Sequence, residues 1–213
     1  MKGLVAKDCA LFMQRKRFFL FAAALAIIIA ACTDSRLFVM LWLVMLVGIF
    51  SISTISYDDY DNSMPFLMTM PVSGRIYAAE KYVFLLLLEA AATIISAAII
   101  LSTSLIKKEV YSLSEDFAGA ILIIALTTVF ISVIMPAMLK WGTEKGRLVL
   151  LVAAGVVGVI VYFGDRMYNV PDPDMIFSSL GIYKTAGLAA GAAAVVFIIS
   201  LIISIRVMEN KEF

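Results

Sequence analysis

Asp58, Asp59 and Asp61 precede Ser63, Met64, Pro65, Phe66, Leu67, Met70 and Pro71, with Arg75 just beyond. These residue types suit binding rather than bond-making. Carboxylates and an arginine recognise charge, and a Phe-Leu-Met body offers apolar surface to bury in another protein. Ser63 could cap a short helix starting at Met64 and Pro65, since proline is favoured in a first turn. The aspartates would then lie near that helix's positive end, and Pro71 would terminate it. The same side chains would also suit packing on the membrane interface or on the molecule's own helices.

Other chemistry is scarce. The chain has no histidine, which removes Ser-His and Cys-His nucleophiles and the usual zinc constellations. Cys9 and Cys32 lack C-x-x-C spacing. No G-x-x-x-x-G-K-[ST] is present to cradle nucleotide phosphates, so no ATPase motif marks the chain as an enzyme. No catalytic, cofactor-binding or metal-binding residue is assigned. A net charge of +1 gives no reason to invoke nucleic acid. Glu89 is the one acid well inside an apolar run, about 10 Å along its helix from Tyr82. A carboxylate there is costly and normally faces a cavity or a partner, unless it is protonated or reaches back to the interface.

These residues sit in a chain that is 63% hydrophobic and 15% charged, with a mean hydropathy of +1.02. Soluble domains are less apolar and more charged, so the chain belongs to the integral membrane class. The apolar runs are continuous rather than alternating, which selects helices over a barrel. The predicted fold is an all-α membrane protein, a single transmembrane domain over 1–213. Its six transmembrane helices lie near 18–32, 37–56, 82–106, 117–139, 148–164 and 186–205. The first is short and must borrow from its flanks or thin the bilayer. Residues 33–36 form a tight link, making the first two spans a hairpin.

Before the first span, Val5, Cys9, Phe12 and Met13 fall on one helical face among Lys2, Lys7, Asp8, Arg15, Lys16 and Arg17. An N-terminal amphipathic helix in the headgroup region fits this pattern, and a solvated basic tail is the alternative. Most of the 17 Lys and Arg fall on the side holding both termini and the 57–81 and 140–147 loops. Only Arg36, Lys107, Lys108, Arg166 and Lys184 fall opposite. The positive-inside rule therefore puts both termini in the cytoplasm. Ile29, Ala30, Ala31 and Cys32 also resemble a lipobox, and cleavage there would leave five spans.

The order of an Asp-rich stretch, Pro65-Phe66-Leu67, Met70-Pro71-Val72-Ser73, Arg75 and Glu80-Lys81-Tyr82 resembles the permease subunits of type-2 ABC exporters. It is closest to the short six-span branch with a separate ATPase subunit. The likeness covers the whole chain as architecture and is specific over about residues 58–82. Gly74 departs from it, standing where many relatives carry a polar or basic residue.

The resemblance implies a bacterial cytoplasmic-membrane permease of an exporter, with amphipathic or antimicrobial peptides as cargo and lipid or drug export as alternatives. It implies two ABC ATPase subunits as partners, with ATP and Mg held there, and a second permease chain, identical or paralogous, among membrane lipids. The short helix after span 2 becomes a cytoplasmic coupling helix. Asp58, Asp59, Asp61, Pro65, Phe66, Leu67, Met70, Pro71 and Arg75 would contact the ATPase. Glu89 would line the translocation path.

The 165–185 loop is longer than a connector requires. By the same resemblance, Met175, Ile176, Phe177 and Leu180 would form an outer gate, and an interfacial segment resting on lipid is the alternative. Residues 140–147 read as a charged anchoring turn or a smaller ATPase contact. Pro136 reads as a kink or helix end. Gly187 and Gly191 form G-x-x-x-G, with Gly155 and Gly158 in the preceding span; packing within one bundle is expected over a dimer seam. Two rivals differ in kind: a non-transporting scaffold that recruits a partner through the same loop, and ion-coupled transport, which would want more intramembrane acids.

Overall fold

The computed structural model describes residues 1–33, 35–60, 63–69, 72–107, 113–167 and 181–211, and every regular element among them is helical. Helix α1 (Lys2–Gln14) meets α2 (Lys16–Cys32) at Arg15, whose φ of −94° and ψ of 16° interrupt the helix. The Arg15 guanidinium donates to the Tyr57 hydroxyl at 2.8 Å and lies over its ring, fastening the joint to the next helix. The buried residues of α2 are Ala22, Ala26 and Ala30, one narrow stripe that lets its backbone lie close to the core. At 17 residues α2 is about 25 Å long, short of the roughly 30 Å hydrocarbon core.

Helices α3 (Arg36–Asp59), α4 (Ser63–Thr69) and α5 (Gly74–Lys107) follow. The helical run Leu113–Met167 breaks at Gly142, where φ is 74°, a backbone region suited to glycine. We call the parts α6 (113–141) and α7 (143–167). Gly181, also at positive φ, leads into α8 (Ile182–Glu209). Four helical segments, Arg36–Asp59, Gly74–Lys107, Asp116–Gly142 and Tyr183–Glu209, are long and apolar enough to cross a membrane. The protein is accordingly multi-pass.

Its core has two apolar regions. One gathers Val39, Leu43, Val47, Phe84, Leu88 and Ile100 where α3 meets α5, with Ala26 and Ala30 of α2. The other gathers Ile55, Tyr77, Leu85, Ile131, Met135 and Met208 where α3, α5, α6 and α8 converge. Polar links mark the two ends. At one, Arg36 pairs with Asp116 at 3.4 Å and Lys107 donates to the Thr33 carbonyl. At the other, Lys7 pairs with Asp58, Arg75 with Glu209, and Lys211 donates to the Leu139 carbonyl. Both termini and α4 thus share one end, the terminal end below.

Several sequence expectations shift. Helix α3 runs on to Asp59, three residues past the expected end of span 2. Pro136 ends nothing: α6 continues through it. Its missing N–H deprives the Ser132 carbonyl of a helical donor, and the Ser200 hydroxyl of α8 supplies one. Because Ser200 has a single proton, Tyr82 must donate to it and accept from Ser204, 2.8 Å away. Proline in one helix is thereby answered by hydroxyls from two others.

Among the described residues, Gly187 and Gly191 lack the close packing partner expected of them within the bundle. No described atom lies within 4 Å of where their Cβ atoms would be. Near the terminal end the opposite holds: a Cβ on Gly74 would meet the Met208 carbonyl oxygen at 2.6 Å. Glycine at 74 is what allows α5 and α8 to touch backbone to backbone. On α1 the buried residues are Leu4 and Asp8, whereas Cys9 and Met13 are exposed. Of the expected Val5–Cys9–Phe12–Met13 face, Phe12 packs on the core against Phe19 and Phe50, while full burial falls at Leu4 and at Asp8, a charge rather than a methyl group.

Candidate functional site

That charge opens onto a polar cluster at the terminal end. Lys81 sits in the early turns of α5 with no exposed surface. Its ammonium bonds Asp8 of α1, lies 2.9 Å from the Asp58 carboxylate of α3, and donates to Thr54 Oγ1 at 3.1 Å. Asp58 also accepts from Lys7 and, at 2.9 Å, from the Tyr77 hydroxyl. Lys7 reaches the Asp8 carboxylate at 3.3 Å. Asp58 occupies the last turn of α3, where the helix dipole disfavours an anion. Two ammonium groups and a phenol offset that cost. Glu80 is fully buried beside them, 3.9 Å from the Lys81 ammonium, and neither oxygen has a hydrogen-bond partner among the described residues. One side chain, Lys81, thus joins α1, α3 and α5.

Helix α4 hangs from this platform. Met64 is buried in the terminal-end core, and Leu67 and Met68 pack partly against it. Positions 64, 67 and 68 make one helical face, which leaves the opposite face outward. There Pro65 is exposed and Phe66 keeps 67% of its surface.

The sequence-selected residues therefore divide. Pro65 and Phe66 face outward. Leu67 is half-buried against the molecule's own core. Asp58 is buried in the charge cluster, not displayed and not at the start of α4. Asp59 lies against Gly142, its Oδ2 2.8 Å from where a Cβ would project, so α3 touches the α6–α7 break. Arg75 is exposed and bound to Glu209 in the last turn of α8. Asp61, Met70 and Pro71 lie outside the described residues, as do Met175, Ile176, Phe177 and Leu180.

Glu89 sits between α5 and α6 and is 1% exposed. It accepts from Thr128 at 2.8 Å, while its Oε1 has no hydrogen-bond partner among the described residues. Within a single chain it is enclosed by protein.

Sequence reasoning missed Asp8, Thr54, Tyr77 and Lys81 as a unit. The Asp8–Lys81 pair spans 73 positions, and no spacing rule joins residues so far apart. Two local signals existed: an acid inside the basic N-terminal stretch, and a lysine abutting an apolar run.

Comparison with curated proteins gives no match. A family model does match: that of the ABC-2 family transporter proteins covers residues 3–209. With nearly the whole chain aligned and its helices apolar enough to cross a membrane, the protein belongs to this family of ABC-transporter membrane components.

Proposed function

We propose that this chain is the permease subunit of an ATP-driven exporter whose nucleotide-binding subunits are separate chains. The observation that carries the reading is α4. Its inner face, Met64, Leu67 and Met68, is held on the core, and its outer face presents Phe66 to a partner. The Lys81 cluster behind it joins α1, α3 and α5, so a push on α4 would be passed to the membrane helices rather than absorbed by a loop.

In this reading α2 and α7 complete six crossings with the four long helices. The basic terminal end faces the cytoplasm, where ATP and Mg would be held by two ATPase subunits. Asp59 and the neighbouring Gly142 break form a second, smaller contact. Since Glu89 is enclosed, the path runs between two permease chains rather than through one. The outward glycines of α8 leave a face on which a second chain could approach closely. Lipid or drug export fits the sequence equally well; amphipathic peptides are the cargo we favour, from the resemblance to permeases of this size, which often export them. Met175, Ile176, Phe177 and Leu180 are assigned to the outer gate on the same ground.

The test is whether the neighbouring gene encodes an ABC ATPase and whether such a subunit co-purifies with the chain. Phe66→Asp should weaken the complex by roughly thirtyfold, the loss of a central aromatic contact worth about 2 kcal/mol. Failure of any ATPase to bind the wild-type chain would sink the exporter reading. Binding without ATP-dependent transport in proteoliposomes would favour the scaffold.

A further inference from the structure

Two contiguous hollows run along the outer side of α6 and α8. The first, about 510 Å³, is formed by Val133, Pro136 and Ala137 of α6 facing Val196, Ile199 and Ile203 of α8. At Lys140, Ile203 and Val207 it passes into a second of about 440 Å³, rimmed by Lys140, Arg206 and Lys211. Both open at the surface: Val133, Ile199 and Ile203 are about half exposed, as is Trp141 at the boundary. The groove is therefore apolar at membrane depth and cationic at the terminal end, with an indole at the transition. No described acidic side chain lines either hollow.

Its length selects an occupant. From Val196 to Glu209, the last residue of α8, is about 20 Å, with Lys211 just beyond. One leaflet, headgroups included, is roughly 20–22 Å thick. A groove that spans one leaflet, greasy within and basic at the headgroup level, matches a phospholipid with net negative charge. A second copy fits less well. A two-fold contact through this groove would set its Lys140 and Arg206 against their own counterparts. Glu209, the acid on this turn of α8, is already bound to Arg75. An inorganic anion would leave the apolar length unused.

We propose that the α6–α8 groove holds one anionic phospholipid, with its phosphate against Lys140 and Arg206 and an acyl chain along Ile203, Ile199 and Val196. Trp141, with Lys140 stacked on its ring at 5.3 Å, sits at headgroup depth. The site needs only a membrane-embedded chain, so it stands or falls apart from the exporter reading.

Native mass spectrometry of the delipidated full chain tests it, with dioleoyl phosphatidylglycerol, dioleoyl phosphatidylcholine and inorganic phosphate as probes. A basic residue beside an anionic lipid is worth roughly fivefold, so two predict about a twenty-five-fold preference for the glycerol headgroup. Lys140→Gln with Arg206→Gln should bring the two lipids to parity. Ile199→Trp, which fills the groove, should weaken both. Lys16→Gln with Arg17→Gln should leave the preference unchanged. All four charged positions are exposed, so these variants test binding rather than folding. Equal affinity in the wild-type chain, or a preference surviving the Lys140/Arg206 variant, overturns the site. Displacement of phosphatidylglycerol by inorganic phosphate alone reduces it to an anion site and overturns the lipid. A dimer that excludes lipid from the groove assigns the face to a second copy and overturns it equally.

Discussion

Lys81 is the residue on which the terminal end turns. Removing one partner from a buried, hydrogen-bonded charge cluster leaves the others uncompensated, at a cost of about 3–5 kcal/mol. Lys81→Met should therefore lower the apparent melting temperature of the detergent-solubilised protein steeply. The double variant Asp8→Asn with Lys81→Met should recover part of the loss, because one of the stranded carboxylates is gone. A silent Lys81→Met would mean that water reaches the cluster and that the helices are not joined through it. The Tyr82–Ser200–Ser132 chain makes a smaller claim of the same kind. Ser200→Ala strands the Ser132 carbonyl that Pro136 leaves open, and should destabilise by about 1–2 kcal/mol in the same melting measurement. Ser204→Ala should cost less, since Tyr82 retains Ser200 as its acceptor. Equal effects from the two serines would remove Pro136 from the explanation.

At the scale of elements, the informative features are where helices stop, break or touch. The Gly142 break joins α6 and α7, and its position depends on a positive-φ, extended-ψ backbone that is essentially reserved for glycine and that a side chain strains by roughly 1–3 kcal/mol. A Cβ there would also press on the Asp59 carboxylate. Gly142→Ala should accordingly lower stability by about that amount or more, whereas Gly187→Ala, with open space around it, should be nearly neutral; paired thermal melts separate them. The element pattern was largely legible in the sequence, because long apolar runs leave little choice but a helix. The register was less so. On α1 the apolar residues pointed to a Val5–Cys9–Phe12–Met13 face; Phe12 does pack on the core, but full burial falls on Leu4 and Asp8, where an ion pair to a helix 73 positions away outweighs a few methyl contacts. On α4 the Ser-Met-Pro start was readable, yet the division of its apolar residues between core and surface was not. That division depends on where α3 and α5 deliver its ends.

At the scale of the whole molecule, the ion pairs at the two ends sort the connections into two sides, and the chain carries its own reporters of which side is which. Cys9 lies on α1 at the terminal end, Cys32 closes α2 at the opposite end, and both are exposed free thiols. The span expected over 18–32 already placed the two cysteines on opposite faces, and the proposed six-crossing arrangement keeps them there through α2. With the terminal end in the cytoplasm, a membrane-impermeant maleimide added to intact cells should label the Cys9→Ser variant at Cys32. It should leave the Cys32→Ser variant unlabelled until the cells are opened. The reverse pattern would invert the molecule and place α4 and Phe66 where no ATPase could reach them, ending the exporter reading at a stroke. The same labelling decides the lipobox alternative. A chain cleaved before Cys32 loses Cys9 altogether and blocks Cys32 with lipid, so the Cys9→Ser variant would label under no condition, while Cys32→Ser, which lacks the thiol that receives the lipid, would keep Cys9. It would also lose Asp8, leaving Lys81 without its α1 partner. The α2 crossing, the cytoplasmic α4 and the α1 partner of Lys81 therefore stand together on one pair of thiols.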